Sequence, residues 1–214
     1  MPRRSVRFRT LTEELNRLKK QFLPKISPTG LYSDRQLALT LAYRVLAHAE
    51  IEAYLEDRVW EVVIDAKNDW DRTGKTRRTL MGLLAFSGQT MDTPPDKLTP
   101  TNSSQDAWNK KLKIAKKIDS AINCFNGVIK QNHGVKEANL LALLLPIGID
   151  SDDLDAALLA TMNTFGEQRG LVAHSSATSY RTVQPPDPAT ELSTVEQIKN
   201  GLEQVDMLIN NLMI

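Results

Sequence analysis

The sequence predicts an all-α fold, a helical bundle of about four or five main helices with two short ones. Apolar residues recur along most of the chain with the 3.6-residue period of an amphipathic helix. Period-two alternation is scarce, and no Asn-Gly or Asp-Gly pair separates two β-branched runs, so strand signals are nearly absent. Aromatic residues, which favour strands, make up only 6% of the chain.

Composition indicates one domain without a strong overall charge. The chain has 214 residues, of which 41% are hydrophobic, enough for one sizeable core. We therefore expect a single domain over residues 1–214, with residues 1–9 as a basic, flexible N-terminal arm. Lys and Arg (27) balance Asp and Glu (26), so any basic binding site must be local.

Three features indicate a cytoplasmic protein without a membrane anchor. Cys124 is the only cysteine and is expected to be a small buried residue on a helix. The basic N-terminus is not followed by the apolar core of a signal peptide. The longest apolar stretch, residues 140–149, is interrupted by Pro146 and is shorter than the roughly 20 residues that span a bilayer.

The first three helices are bounded by clear signals. An apolar stripe marks the first helix, which should end before Pro24 and Pro28; it consists of Phe8, Leu11, Leu15, Leu18 and Phe22. Ser33 or Asp34 can cap a long second helix that meets no proline or glycine before Gly74. A third helix is expected from Arg77 to Phe86. The polar segment Gly88 to Ser104 is long for a loop, which indicates that it is mobile or functional.

Four more helices are predicted in the second half. The fourth should begin between Ser103 and Asp106 and end near Gly134, and a short fifth should cover Ala138 to Leu145. Ser151 is expected to cap the sixth, with Asp152, Asp153 and Asp155 at the positive end of its dipole. After a loop from Ser175 to Pro186, Asp187 as N-cap and Pro188 as first helical residue should open the last helix.

Most common catalytic motifs are missing. The chain has no Gly-rich phosphate loop, Gly-x-Ser-x-Gly elbow, His-Glu-x-x-His pair or Cys/His metal cluster. Its three histidines are His48, His133 and His174. His133 lies at an expected helix end and is interpreted as a solvated C-terminal cap.

A histidine and a glutamate share one face of the second helix. His48 lies on the apolar stripe, and Glu52 follows four residues later, so the two side chains can meet. The pair is either a buried polar contact that satisfies its own hydrogen bonds or part of the functional site. Glu50, which lies between them in the sequence, is predicted to be a third residue that supports the functional site.

The strongest functional pattern is Arg169-x4-His174. Five residues of helix turn through about 500°, which leaves the two positions about 140° apart with a rise of about 7.5 Å. The long arginine side chain can bend back, and Gly170 could loosen the helix so that both groups reach one phosphate.

The order of segments resembles that of the HEPN superfamily, most closely the RiboL-PSP-HEPN type. The resemblance is carried by Tyr43-Arg-Val-Leu-Ala-His-Ala-Glu-Ile-Glu-Ala-Tyr-Leu-Glu, Leu144-Leu-Pro-Ile-Gly-Ile-Asp and Gln168-Arg-Gly-Leu-Val-Ala-His-Ser-Ser. It runs from Leu11 to Ile214, and its only sharp motif is Arg169 to His174.

This resemblance implies a ribonuclease that uses neither metal nor cofactor. Arg169 would bind the phosphate and His174 would be the acid/base group, with the motifs of two protomers facing each other in a homodimer. Many proteins of this superfamily act as toxins or anti-phage effectors, so an antitoxin or defence-system protein is a possible partner.

RNA binding requires local positive charge. Tyr180 and Arg181 follow His174 closely in sequence and could stack on or clamp a nucleotide. Lys110 and Lys113 belong to a basic run on the predicted fourth helix, which either contacts RNA or is an ordinary solvated face. The same alternatives hold for the basic clusters at residues 3–9 and 75–78.

Two other classes of function remain open. A catalytically silent HEPN-like module, acting as an interaction domain or antitoxin component, would use Arg169 and His174 to hold the bundle together. A small-molecule enzyme has no supporting motif. The direction in which the two side chains point distinguishes the first alternative from a nuclease.

Overall fold

The computed structural model describes residues 4–89, 113–174 and 186–213, with the backbone alone for residues 172–174. Within these ranges the chain forms seven α-helices and one 3-10 turn, and no strand. The helices are α1 (Val6–Phe22), α2 (Asp34–Thr73), α3 (Arg78–Phe86), α4 (Ile114–Lys130), α5 (Glu137–Leu144), α6 (Ala156–His174) and α7 (Pro188–Leu212). The prediction of an all-α bundle is confirmed.

The central element is α2, which contacts each of the other six helices. Its 40 residues correspond to about 60 Å of helix. Ser33 and Gln36 form a reciprocal capping box at its start, and Gly74 ends it with a φ of 71°, a left-handed conformation that glycine adopts without strain. The predicted boundaries of this helix are confirmed.

Two buried arginines of α2 connect it to α7. Arg44 donates two hydrogen bonds to the carboxylate of Glu191, and both residues are buried. Arg58 Nε donates to Asp206 Oδ1 at 3.0 Å, and Asp206 is completely buried. Because each buried cation has a carboxylate partner, these charges hold α2 and α7 in a defined register.

The start of α1 is fixed by the same carboxylate. Asp206 accepts hydrogen bonds from the backbone N–H of Ser5 at 2.8 Å and from its hydroxyl at 2.6 Å. Ser5 in turn caps α1 by accepting from the N–H of Phe8. A helix with the buried Phe8 therefore begins at Val6, inside the segment 1–9 that was expected to be a flexible arm; residues 1–3 lie outside the described residues.

The starts of α4 and α6 bear on the predicted helix boundaries. Lys113 is extended, and the helix that carries the buried Ile118 begins at Ile114; the predicted start between Ser103 and Asp106 lies outside the described residues. Ser151 opens a short 3-10 turn instead of capping a helix, and Leu154 after it is extended. Asp155 accepts from the N–H of Ala157 at 2.9 Å, so α6 begins there.

Cys124 is exposed on α4, so its expected burial is wrong. The buried residues of this helix are Ile118, Ala121, Ile122 and Phe125. At 100° per residue, Cys124 lies about 110° from the centre of that stripe. None of the described helices combines the length and the apolar character that a bilayer-crossing segment requires.

Candidate functional site

Arg169 lies on the face of α6 that is turned towards α2. Four residues earlier, Phe165 packs against His48 of α2, with ring centroids 5.8 Å apart. Residues at i and i+4 share a helix face, so Arg169 follows Phe165 along the α2 contact. The Arg169 side chain is half-buried and makes no hydrogen bond or ion pair with any residue that the structure describes.

His48 is a neutral imidazole. The residue is 1% exposed, and burial, followed by the charge of Arg169, lowers its pKa to about 4. Its Nδ1 is 3.4 Å from Glu52 Oε2, but the alignment does not make a hydrogen bond, and Nδ1 has no hydrogen-bond partner among the described residues. Because the ring is uncharged at pH 7, this contact is not an ion pair, and the predicted pair does not satisfy its own hydrogen bonds.

Glu52 is electrostatically coupled to groups from three parts of the fold. Its partial burial and the neighbouring carboxylate of Glu56 raise its pKa, while Arg169 and His133 oppose the shift. The net direction is upward. A glutamate with a raised pKa is closer to accepting a proton at neutral pH than an ordinary surface carboxylate.

The segment between α4 and α5 forms the third side of the site. Asn132 Nδ2 donates to Glu56 Oε1 at 2.7 Å, and Asn139 Nδ2 donates to Asn132 Oδ1 at 2.9 Å. Gly166 allows α6 to lie close to this segment, since a Cβ there would be 2.8 Å from Lys136 Cγ. The exposed His133 is thereby held near Glu52.

The other predicted site residues are separated from this group or lie outside the described residues. Glu50 is half-buried and lies about 200° around α2 from both His48 and Glu52. Lys113 is exposed immediately before α4. The backbone of His174 ends α6, but its side chain lies outside the described residues, as do Lys110, Tyr180 and Arg181.

Gly170 does not loosen the motif helix. The backbone of α6 is helical through this position up to His174, and Gly170 is not among the glycines with positive φ. The expected loosening is therefore wrong, and the backbone positions of Arg169 and His174 keep their separation of about 140°.

Several arginines from the basic clusters are engaged in ion pairs. Arg77 contacts Asp65 and Asp69, and Arg78 contacts Asp150. Arg4 and Arg7 pair with Glu203 and Asp57. These contacts favour the interpretation of both clusters as ordinary solvated faces. In the described ranges, no three His, Cys, Asp or Glu side chains are grouped so as to hold a metal ion.

Sequence reasoning missed three residues of the site. Glu56 continues the spacing of four that relates His48 to Glu52, so the pattern could have identified it. Asn132 and His133 reach the site from 76 residues further along the chain than Glu56, and no local pattern indicates such a contact.

The fold and site together define an all-α bundle of HEPN type, in which a central helix presents a histidine and a glutamate to an arginine near the end of a second helix. The RiboL-PSP-HEPN family model matches residues 7–212, and the chain belongs to this family. The resemblance found in the sequence is thereby confirmed. No curated protein and no solved structure matches the chain.

Proposed function

We propose that the protein is a metal-independent RNA endonuclease that acts as a toxin or anti-phage defence effector. Membership of the RiboL-PSP-HEPN family supports this proposal. The observation that carries it is the half-buried Arg169 side chain, which has no hydrogen bond or ion pair within the described residues.

Two buried arginines differ from Arg169 in having carboxylate partners. Arg44 and Arg58 are buried and are neutralised by Glu191 and Asp206. Among the described residues Arg169 has only the longer-range attraction of Glu52, and a partly desolvated cation without a hydrogen-bonded anion is costly. A phosphodiester is such an anion, and a guanidinium binds two of its oxygens in a bidentate geometry.

The reaction proposed is attack by the ribose 2′-hydroxyl on the adjacent phosphorus. Arg169 stabilises the charge that develops on the phosphate oxygens, and His174 serves in proton transfer. The products are a 2′,3′-cyclic phosphate and a 5′-hydroxyl, so DNA is inert. In the proposed homodimer a twofold axis brings two copies of the motif together, and Tyr180, Arg181, Lys110 and Lys113 contact the RNA.

An RNA cleavage assay in EDTA tests the proposal. We expect the intact protein to cleave RNA but not DNA, and Arg169→Ala and His174→Ala each to lower the rate at least about 100-fold, the scale of lost acid/base or charge stabilisation. Arg72→Ala is the matched control, because Arg72 is an exposed arginine with only a surface ion pair. Inertness towards RNA, or activity that chelator abolishes, contradicts the proposal.

One observation favours the alternative of a silent interaction module. Glu52 and Glu56 lie on the side of α2 near Arg169, and carboxylates repel a phosphate. A module of this kind would show no cleavage with any RNA, and Arg169→Ala would lower its stability without changing RNA affinity.

A further inference from the structure

The carboxylate of Glu52 is not fixed by a hydrogen bond from any described residue. Its side chain is 18% exposed, so a ligand can reach it. None of the described residues donates a hydrogen bond to it, in contrast to Glu56, which accepts from Asn132. A carboxylate in this position has lone pairs available for a donor on a bound molecule.

His48 is directed at this carboxylate from the core. Its side chain is 2% exposed, and Nδ1 lies 3.4 Å from Glu52 Oε2, with no hydrogen-bond partner in the part of the chain that the structure describes. A buried nitrogen without a partner is unusual. A small displacement of the carboxylate when a ligand binds would complete the hydrogen bond from Nδ1–H and fix the direction of Glu52.

We propose that Glu52 is the general base of the site and takes the proton of the ribose 2′-hydroxyl in RNA whose phosphate is bound by Arg169 of the same protomer. This assignment rests on the proposed ribonuclease function. His48 is then a positioning residue, because it acts through Glu52 and is too deeply buried to touch the RNA.

The proton and bond changes balance within this arrangement. Glu52 takes the hydroxyl proton as the 2′-oxygen forms its bond to phosphorus. The bond from phosphorus to the 5′-oxygen breaks, and the imidazolium of His174 gives that oxygen a proton. The reaction leaves Glu52 protonated and His174 neutral, and exchange with solvent restores both groups.

The charged groups that face Glu52 are consistent with this role. His48 and Glu56 face it from α2, Arg169 from α6, and His133 from the segment between α4 and α5. Burial and Glu56 raise its pKa more than Arg169 and His133 lower it. The carboxylate is therefore a stronger base than a glutamate in open water.

If the general base belongs to the same protomer, the dimer does not have to supply a second histidine for proton transfer. In the homodimer that the family resemblance implies, the His174 residues of two chains would share the roles of base and acid. With Glu52 as base, a single histidine is sufficient for each cleavage. The dimer could then position RNA without completing the proton transfer.

The pH dependence of cleavage by Glu52→Gln tests the assignment. For the intact protein we expect log(kcat/KM) to rise with unit slope on the acid side and to bend above the usual range of a glutamate. Glu52→Gln should lose that limb and about 100-fold or more in kcat. It should bind RNA carrying a 2′-methoxy group at the cleavage position within about threefold of the intact protein.

Asp57→Asn is the matched control, because it removes a carboxylate from the surface of the same helix, where it pairs with Arg7. It should keep the full profile. If circular dichroism shows that the Glu52→Gln protein is folded, and this protein keeps both the cleavage rate and the acid-side rise of the pH profile, Glu52 is not the general base. The proposed ribonuclease function would be unaffected by that result. If the intact protein cleaves no RNA at any pH, the proposed function itself fails, and the assignment fails with it.

Discussion

The neutral imidazole of His48 links the stability of the fold to the site. Burial and the nearby charge of Arg169 hold its pKa at about 4, whereas the histidine of an unfolded chain titrates near 6.5. In the window between these two values the unfolded chain binds a proton that the folded protein does not. The free energy of unfolding must therefore fall as the pH is lowered through this window.

We expect His48 to contribute a loss of about 2–3 kcal/mol in unfolding free energy between pH 7 and pH 4.5. Urea titrations at both pH values measure it, with His48→Leu as the non-titrating reference. The raised pKa of Glu52 acts in the opposite direction, so the difference between the two proteins isolates the histidine. An equal pH dependence in both proteins would show that His48 is not the cause.

Residues of the site could be predicted only where they lie on the same helix, because spacing in the sequence then relates their positions. His48 and Glu52 are one helical turn apart, and Arg169 belongs to a local motif, so spacing identified all three. Asn132 and His133 reach the site through the close approach of α6 at Gly166, which depends on tertiary packing. Cys124 was expected to be buried because cysteine is a commonly buried residue type. The prediction was wrong because the angular position of Cys124 on α4 lies outside the buried stripe.

At the scale of elements, helix ends could be predicted where a capping residue in the local sequence marks them. The Ser33 capping box, Gly74, and Asp187 with Pro188 mark helix ends by local hydrogen bonds or backbone preference, and the structure agrees. The start of α6 was predicted too early. Ser151 is a good cap in isolation, but the buried face of this helix begins further along the chain, at Leu158.

The contact between α2 and α7 is expected to dominate stability. Asp206 accepts from Arg58, Tyr54 and Ser5, so Asp206→Ala leaves several buried donors without a partner. We expect a loss of about 3–5 kcal/mol in unfolding free energy, measured by urea denaturation.

The surface pair of Arg4 and Glu203, with side chains 56% and 29% exposed, is the control for this experiment. Glu203→Gln should cost less than about 1 kcal/mol. The double variant Arg58→Met with Asp206→Leu should recover part of the loss, since it leaves no unpaired buried charge at this position. A loss no larger than that of the surface variant would show that the buried pair is unimportant.

At the scale of the whole molecule, the proposed dimer should involve the end of α6. Leu171 lies between Arg169 and His174 and is 51% exposed, so it offers an apolar contact beside the motif. If two motifs face each other across a twofold axis, this side chain becomes buried. We expect Leu171→Glu to convert a dimer into a monomer in sedimentation experiments and to reduce RNA cleavage.

Val6→Glu is the control for this dimer prediction, because Val6 is 67% exposed at the start of α1, away from the motif. It should leave the sedimentation coefficient unchanged. A monomeric intact protein, or a Leu171→Glu protein that remains dimeric, would argue against this face as the interface.

The dependence of α2 on α7 has a consequence for biosynthesis. Arg44 and Arg58 are buried only because Glu191 and Asp206 accompany them, and these carboxylates lie on α7, which follows the other six described helices in the chain. A nascent chain that ends before α7 would have to bury two guanidinium groups without counter-charges, which strongly disfavours closure of the core. The core should therefore close only once α7 has been made, so that translation of the first six helices alone would not give a folded bundle.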